Sequence, residues 1–261
     1  MGKPVGPWSA DKHKFLADYI CAFTTAMRAK KWSCLNYIDL FAGPGKLRIK
    51  DTNKIIWGSP LIAAHYPAFA NLFVCEKNKQ AFDALTTRLG RTNTPSHILP
   101  FNRDCNDIVG DIVDQIPPRS LSLAFLDPYG LHVDFKTVAA LSNHRTDLII
   151  FFPDRLDALR NHGLVYRDDP DSNLDRFLGD PGWRTALDSN PCDRWAAVLR
   201  DLYVTRLRTL GYSEFEYERI YASGTPMYLL IYCSEHPVGA KIWRGISQKK
   251  PDGQRTFGFD P

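Results

Sequence analysis

Four acidic residues each close a short apolar run. Asp39 follows Asn36-Tyr37-Ile38, Glu76 follows Leu72-Phe73-Val74-Cys75, Asp104 comes soon after His97-Ile98-Leu99-Pro100-Phe101, and Asp127 ends the run from Ser120 to Leu126. A carboxylate accepts two hydrogen-bond donors at once, so acids in such places suit the grip on a diol, an amine or a cation. Two of them open into small-residue turns. After Asp39 comes Leu40-Phe41-Ala42-Gly43-Pro44-Gly45, where two residues without Cβ let the backbone approach a ligand and Pro44 stiffens the bend. Asp127-Pro128-Tyr129-Gly130 sets an acceptor beside an aromatic ring. A dinucleotide fingerprint is not completed, because Arg48 stands where its third glycine belongs.

These acids must be positioned by strands. Helical spacing of Phe15, Leu16, Tyr19, Ile20, Phe23 and Met27 predicts an amphipathic helix from Asp11 to about Lys30, with Trp8 as a packing anchor and His13 on its surface or at its cap. Residues 46 to 57 read as a polar, irregular loop, long enough beside a ligand turn to be functional, before a helix with Ser59 as cap and Pro60 at its first position. Strands are expected at 71–76, 97–101, 120–126 and 146–152, and Pro100 sends the second of these to a sheet edge. Helices are expected at 80–89, after Asp104, and at 135–141. Residues 154–192, rich in Asp, Arg, Pro and Gly, read as an insertion with one short helix near Leu174 to Leu178. A strong helix then runs from Trp195 to Gly211, and Phe215 to Ala222 and Met227 to Cys233 form a closing hairpin.

Alternating strands and helices predict an α/β, Rossmann-like, doubly wound sheet of seven strands, mostly parallel, with an antiparallel final strand. In such sheets ligands bind at the carboxyl ends of the strands, where all four acids fall. Residues 1–245 read as one domain and 246–261 as a basic tail.

With 261 residues, 44% hydrophobic and 24% charged, the composition is that of a soluble globular protein. No run approaches a membrane span and the opening residues lack a signal-peptide core. The six cysteines, without any C-x-x-C pair, read as reduced packing residues of a cytoplasmic protein, and no metal site is expected. The net charge of +4 is uneven: residues 1–50 carry +6, residues 239–261 carry +3, and the middle is acidic. Two basic ends suit a nucleic-acid partner.

The Asp39 to Gly45 segment resembles motif I of the class I S-adenosylmethionine methyltransferases, in which the glycine turn lies under the methionine part of the cofactor. That resemblance implies S-adenosylmethionine as cofactor, bound by Asp39, Phe41, Ala42, Gly43, Gly45, Glu76, Asp104 and Cys105. Glu76 would accept both ribose hydroxyls, Asp104 the adenine amine, with Cys105 or Asn102 flanking the ring, while Asp39 holds the turn. Asp127-Pro128-Tyr129-Gly130 resembles motif IV of amino-methyltransferases, whose acid orients the target amine and whose aromatic ring stacks on the base. One proline is missing, so Tyr129 falls a place early.

The whole pattern, from Tyr37 to Gly45 through Gly58-Ser59-Pro60, Glu76, Asp127 to Gly130, Leu148 to Pro153 and the hairpin, is similar to the three-Cys-motif partner (TcmP) family. That family is methyltransferase-like and is named for a separate protein that carries the cysteines, which implies such a partner here. Three functions follow from these residues. The first is methyl transfer to a nucleic-acid base, with Asp127, Pro128 and Tyr129 at the acceptor and Lys46, Arg48 and Lys50 on phosphates. The second is a cofactor-binding module that docks another enzyme through residues 154–192. The third is a metal-dependent nuclease using the four acids, which a sheet would set in a line rather than around one ion.

Overall fold

The computed structural model describes residues 4–52, 54–222 and 224–248. Among these residues the strands are β1 Leu35–Asp39, β2 Lys46–Arg48, β3 Ile55–Trp57, β4 Phe69–Cys75, β5 His97–Phe101, β6 Leu121–Leu126, β7 Thr146–Phe152, β8 Glu214–Ala222 and β9 Thr225–Ser234. Seven of them form one sheet in the order β5-β4-β1-β6-β7-β9-β8. Every neighbouring pair from β5 to β7 is parallel, and β9 lies antiparallel between β7 and β8. This is a Rossmann-like, doubly wound sheet with an antiparallel strand near one edge, as the alternation of strands and helices predicts. Pro100 lies on edge strand β5, where its missing N–H costs no ladder bond.

Strand alternation builds a layer on each side of the sheet. Leu148, Ile150 and Phe152 of β7 point into one core, while Ile149 and Phe151 point into the other. The helices are α1 Trp8–Met27, α2 Ser59–Ala64, α3 Lys79–Leu89, α4 Cys105–Val113, α5 Phe135–Leu141, the single turn α6 Leu159–Asn161, α7 Asn173–Leu178, α8 Trp183–Asp188, α9 Trp195–Thr209 and α10 Pro237–Ser247. Side chains of α1, α2, α3 and α10 fill one core, and those of α4, α5, α7, α8 and α9 fill the other.

Five expectations need correction. Residues 46–57 are not irregular: β2 and β3 pair as a two-stranded ribbon whose short strands carry too few residues to show a period. Ser59 does not cap α2. Gly58 is the cap, and the Ser59 side chain lies close enough to Asp39 to favour its charged form. Residues 154–192 fold into π-helical turns around α6, then α7 and α8, with Leu174, Phe177, Leu178, Trp183 and Leu187 fully buried. Helix α10 was not foreseen: Pro237 starts a helix that buries Ala240 and Trp243 and runs two residues into the supposed tail, to Ser247. The remainder of the basic tail, 249–261, lies outside the described residues. Finally, His13 is buried rather than on the surface, its Nδ1 2.6 Å from the Ser9 carbonyl, and burial together with the Lys12 charge pushes it down to about 4.

Candidate cofactor and acceptor site

The strand order turns around between β1 and β6, so the crevice beyond their carboxyl ends is where a ligand can enter the sheet. Asp39 ends β1 and is fully buried. Its carboxylate accepts from the Phe41 N–H at 3.2 Å and from the Tyr37 hydroxyl at 3.3 Å. Burial pushes its pKa up to about 7, against the pull of Ser59 and the Phe41 N–H. Asp39 therefore shapes the turn from within. Phe41 is half-buried against the core, and the Ala42 N–H donates to the Cys75 carbonyl at 2.9 Å, tying the turn to β4.

Gly43 and Gly45 both take positive φ, 58° and 79°, where a side chain is strained. A Cβ on Gly43 would meet nothing within 4 Å, so the turn faces open space there. At Gly45 a Cβ would press on Leu85 at 3.1 Å. Gly43 thus gives access, and Gly45 gives close packing. The guanidinium of Arg88 donates to the Pro44 carbonyl from α3.

Glu76 reaches this turn directly. One carboxylate oxygen accepts from the Gly43 N–H at 2.9 Å, and the other from the Asn78 N–H at 2.7 Å. Each oxygen keeps a second lone pair. Asn78, not Glu76, caps α3, through its side chain and the Ala81 N–H. Asp104, by contrast, does cap α4: it accepts from the Asn106 N–H at 2.9 Å and pairs with Lys77 at 2.8 Å. Partial burial of Asp104 is overcome by those two donors, which hold its carboxyl below the usual range. Cys105 is buried beside it, with burial raising its thiol well above the ordinary value. The Asn102 amide donates to the carbonyls of Glu76 and Lys77 and so fixes the bend between these segments.

Asp127, just past β6, pairs with Lys12 of α1 at 2.5 Å, and the same ammonium sits 4.4 Å from the centre of the Phe151 ring. Lys12 is the site residue that sequence reasoning passed over. A signal existed: Lys12 lies three and four positions before Phe15 and Leu16, on the apolar stripe of the helix. Pro128 is buried, whereas Tyr129 is 94% exposed. Gly130 has φ 129°, and a Cβ there would meet the Asp157 carboxylate at 2.7 Å. Asp157 accepts from the Leu131 N–H at 3.0 Å, from Tyr166 at 2.6 Å and from Asn161 at 2.7 Å. The 154–166 segment therefore holds the Asp127 to Leu131 turn in place. Lys46, Arg48 and Lys50 lie on and beside the ribbon that leaves the glycine turn.

Glu76, Gly43 and the turn above β1 thus come together, with Asp127 across the switch point. Asp104 stands apart with Lys77. Each acid has its own partners, and among the described residues no three His, Cys, Asp or Glu side chains are placed to hold one metal ion.

No family model matches the chain. No curated protein matches it either. Its resemblance to the three-Cys-motif partner family is carried by its own residues alone. Among solved structures it is similar to protein LPL1258 from Legionella pneumophila, at 12% identity and a TM-score of 0.54, with 87% of each chain covered. It is more distantly similar to an O-methyltransferase from Bacillus cereus in complex with SAH, at 10% identity and a TM-score of 0.45 over 84% of this chain and 80% of that one. A third match, M. jannaschii TYW2 in complex with AdoMet, has 12% identity and a TM-score of 0.40 over 82% and 74% of the two chains. The Legionella match is a likeness of fold, and the other two are too distant to argue from.

Proposed function

We propose that this chain is a methyltransferase that uses S-adenosylmethionine and acts on a nucleic-acid base. The observation that carries the reading is the Glu76 carboxylate on the Gly43 N–H, beside open space at the crevice of the sheet. The residues present fit the cofactor. Glu76 keeps lone pairs for a ribose diol, and the bare Gly43 leaves room for the methionine part. When bound, S-adenosylmethionine supplies an electrophilic methyl group. The chain then has to orient the acceptor in line with it, which needs little acid or base help. Asp127 is placed to accept from a target amine while Lys12 balances its charge, and Tyr129 has the free ring face that stacking on a base requires. Asp104 and Cys105 belong to the adenine end in this reading, with Asp104 turning from Lys77 to the ligand amine.

Calorimetry with S-adenosylmethionine tests the cofactor half: micromolar or tighter binding is expected, and its loss in Glu76→Ala. A wild-type protein with no measurable affinity removes the reading. Transfer of a radiolabelled methyl group to total RNA and DNA tests the other half. Asp127→Ala should keep cofactor affinity and lose about a hundredfold in transfer.

A second reading is a cofactor-binding module that docks another enzyme, such as a three-Cys-motif protein. It is favoured by the pairing of Asp127 with Lys12 and by the single proline of its turn. Intact cofactor affinity with no transfer to any nucleic acid would select it.

A further inference from the structure

The ribbon that leaves the glycine turn has two unlike faces. Lys46 pairs with Trp57, Leu47 with Ile56 and Arg48 with Ile55. Directly opposed residues of an antiparallel pair share a face, and successive residues alternate. One face therefore carries Lys46, Arg48, Ile55 and Trp57. That face looks outward: Ile55 is 49% and Trp57 48% exposed, while Leu47 and Ile56 behind them are half-buried.

Charge extends beyond it. Lys50 and Lys54 are exposed at the ribbon's tip, and Asp51 is the only acid between Lys46 and Trp57. The His65 ring lies 5.6 Å from the Trp57 ring at 58°, which supports the indole from α2's end. Both ends of the ribbon are fixed beside the glycine turn, because the Gly58 N–H donates to the Gly45 carbonyl at 2.7 Å.

Cations interleaved with an exposed ring and an aliphatic side chain match a polyanion that also offers flat apolar faces. A duplex presents phosphates but hides its base faces in the stack, whereas an unpaired strand presents both. We propose that the Lys46, Arg48, Ile55 and Trp57 face binds an unpaired nucleic-acid strand, with a base stacked on Trp57 and phosphates on Lys46 and Arg48. The assignment deepens the methyltransferase reading above, which needs an accessible base, and rests on it for what happens to that base.

Fluorescence anisotropy with short oligouridylate, oligodeoxythymidylate and a blunt duplex of equal length tests it on the full chain. Either single strand should bind, more tightly than the duplex, and the tighter of the two identifies RNA or DNA. Trp57→Ala should weaken single-strand binding about tenfold or more, with Trp57→Phe recovering most of it. Lys46→Ala with Arg48→Ala should lower the slope of log affinity against log salt by about 1.4.

Equal affinity for duplex and single strand, or a Trp57→Ala protein that binds like wild type, overturns the proposal. So does binding to phosphatidylserine vesicles with no oligonucleotide binding, which would give this face to a membrane surface. Cofactor calorimetry on the same samples separates the two failures. Strand binding that depends on Trp57 without cofactor affinity overturns the methyltransferase reading alone, and cofactor affinity without such strand binding overturns the ribbon assignment alone.

Discussion

Single carboxylates in this protein behave according to what surrounds them. Glu76 and Asp127 keep charged or N–H partners at the crevice, and Asp39 is sealed into the turn it shapes. Glu218 has neither role. It is buried on β8, both its oxygens lack a hydrogen-bond partner, and burial pushes its carboxyl up to about 8. The unfolded chain releases that proton near the ordinary glutamate value of about 4.3. The folded state therefore holds the proton more tightly, and stability falls as pH rises from about 4 to about 8. Asp39 and Asp147, raised to about 7 and about 6, add the same sign over narrower windows. Glu218→Gln should melt above wild type, with a gap that widens up to about pH 8 and then levels. Melting curves across that range check it, and a constant gap would mean that Glu218 does not titrate on folding.

Elements from the 154–192 segment hold the Asp127 to Leu131 turn and share a core with the sheet. Asp154 is fully buried with Arg219 of β8 at 2.6 Å and 2.8 Å, so the segment is pinned to the far edge of the sheet. Trp183 is fully buried, and its ring N–H donates to Asp175 at 2.9 Å. Phe177 stacks on Phe152 at 5.1 Å and on Tyr203 at 4.7 Å. A dispensable surface insertion would make none of these contacts. Trp183→Ala should destabilise the protein by about 3–5 kcal/mol, through the lost burial and the cavity left behind. A denaturant midpoint that shifts with unchanged slope confirms it. A midpoint within experimental error of wild type would mean that Trp183 adds little to the core.

At the scale of the molecule, helices from both ends of the chain pack into one layer. Phe15 and Tyr19 of α1 meet Trp243 of α10 at 4.6 Å and 5.6 Å, and Tyr19 meets Tyr232 of β9 at 5.5 Å. α1 and α10 therefore close over the same side of the sheet that carries Tyr37 and Val74. One unit spanning residues 1–245 is the proposal this packing supports, and it predicts coincident unfolding by circular dichroism and tryptophan fluorescence. S-adenosylmethionine at a hundred times its dissociation constant should then stabilise the whole chain by about 2.7 kcal/mol. Two separate transitions, only one of them shifted by cofactor, would divide the chain.

The sequence by itself determined the sheet, because strands buried on both faces must be continuous apolar runs and the residues that interrupt them mark their ends. Leu121–Leu126 and Thr146–Phe152 could be read for that reason, and so could the acids that follow the strands. Short or composite features were not legible. Three-residue strands show no period, α10 buries few side chains, Ala240 and Trp243 among them, and Lys12 looks like any helix lysine until Asp127 is brought to it. Tertiary structure alone decided each acid's partner: the Glu76 carboxylate meets the Gly43 N–H, and Asp104 meets Lys77. A charge's task is set by its neighbours in space, and those neighbours come from segments that only folding brings together.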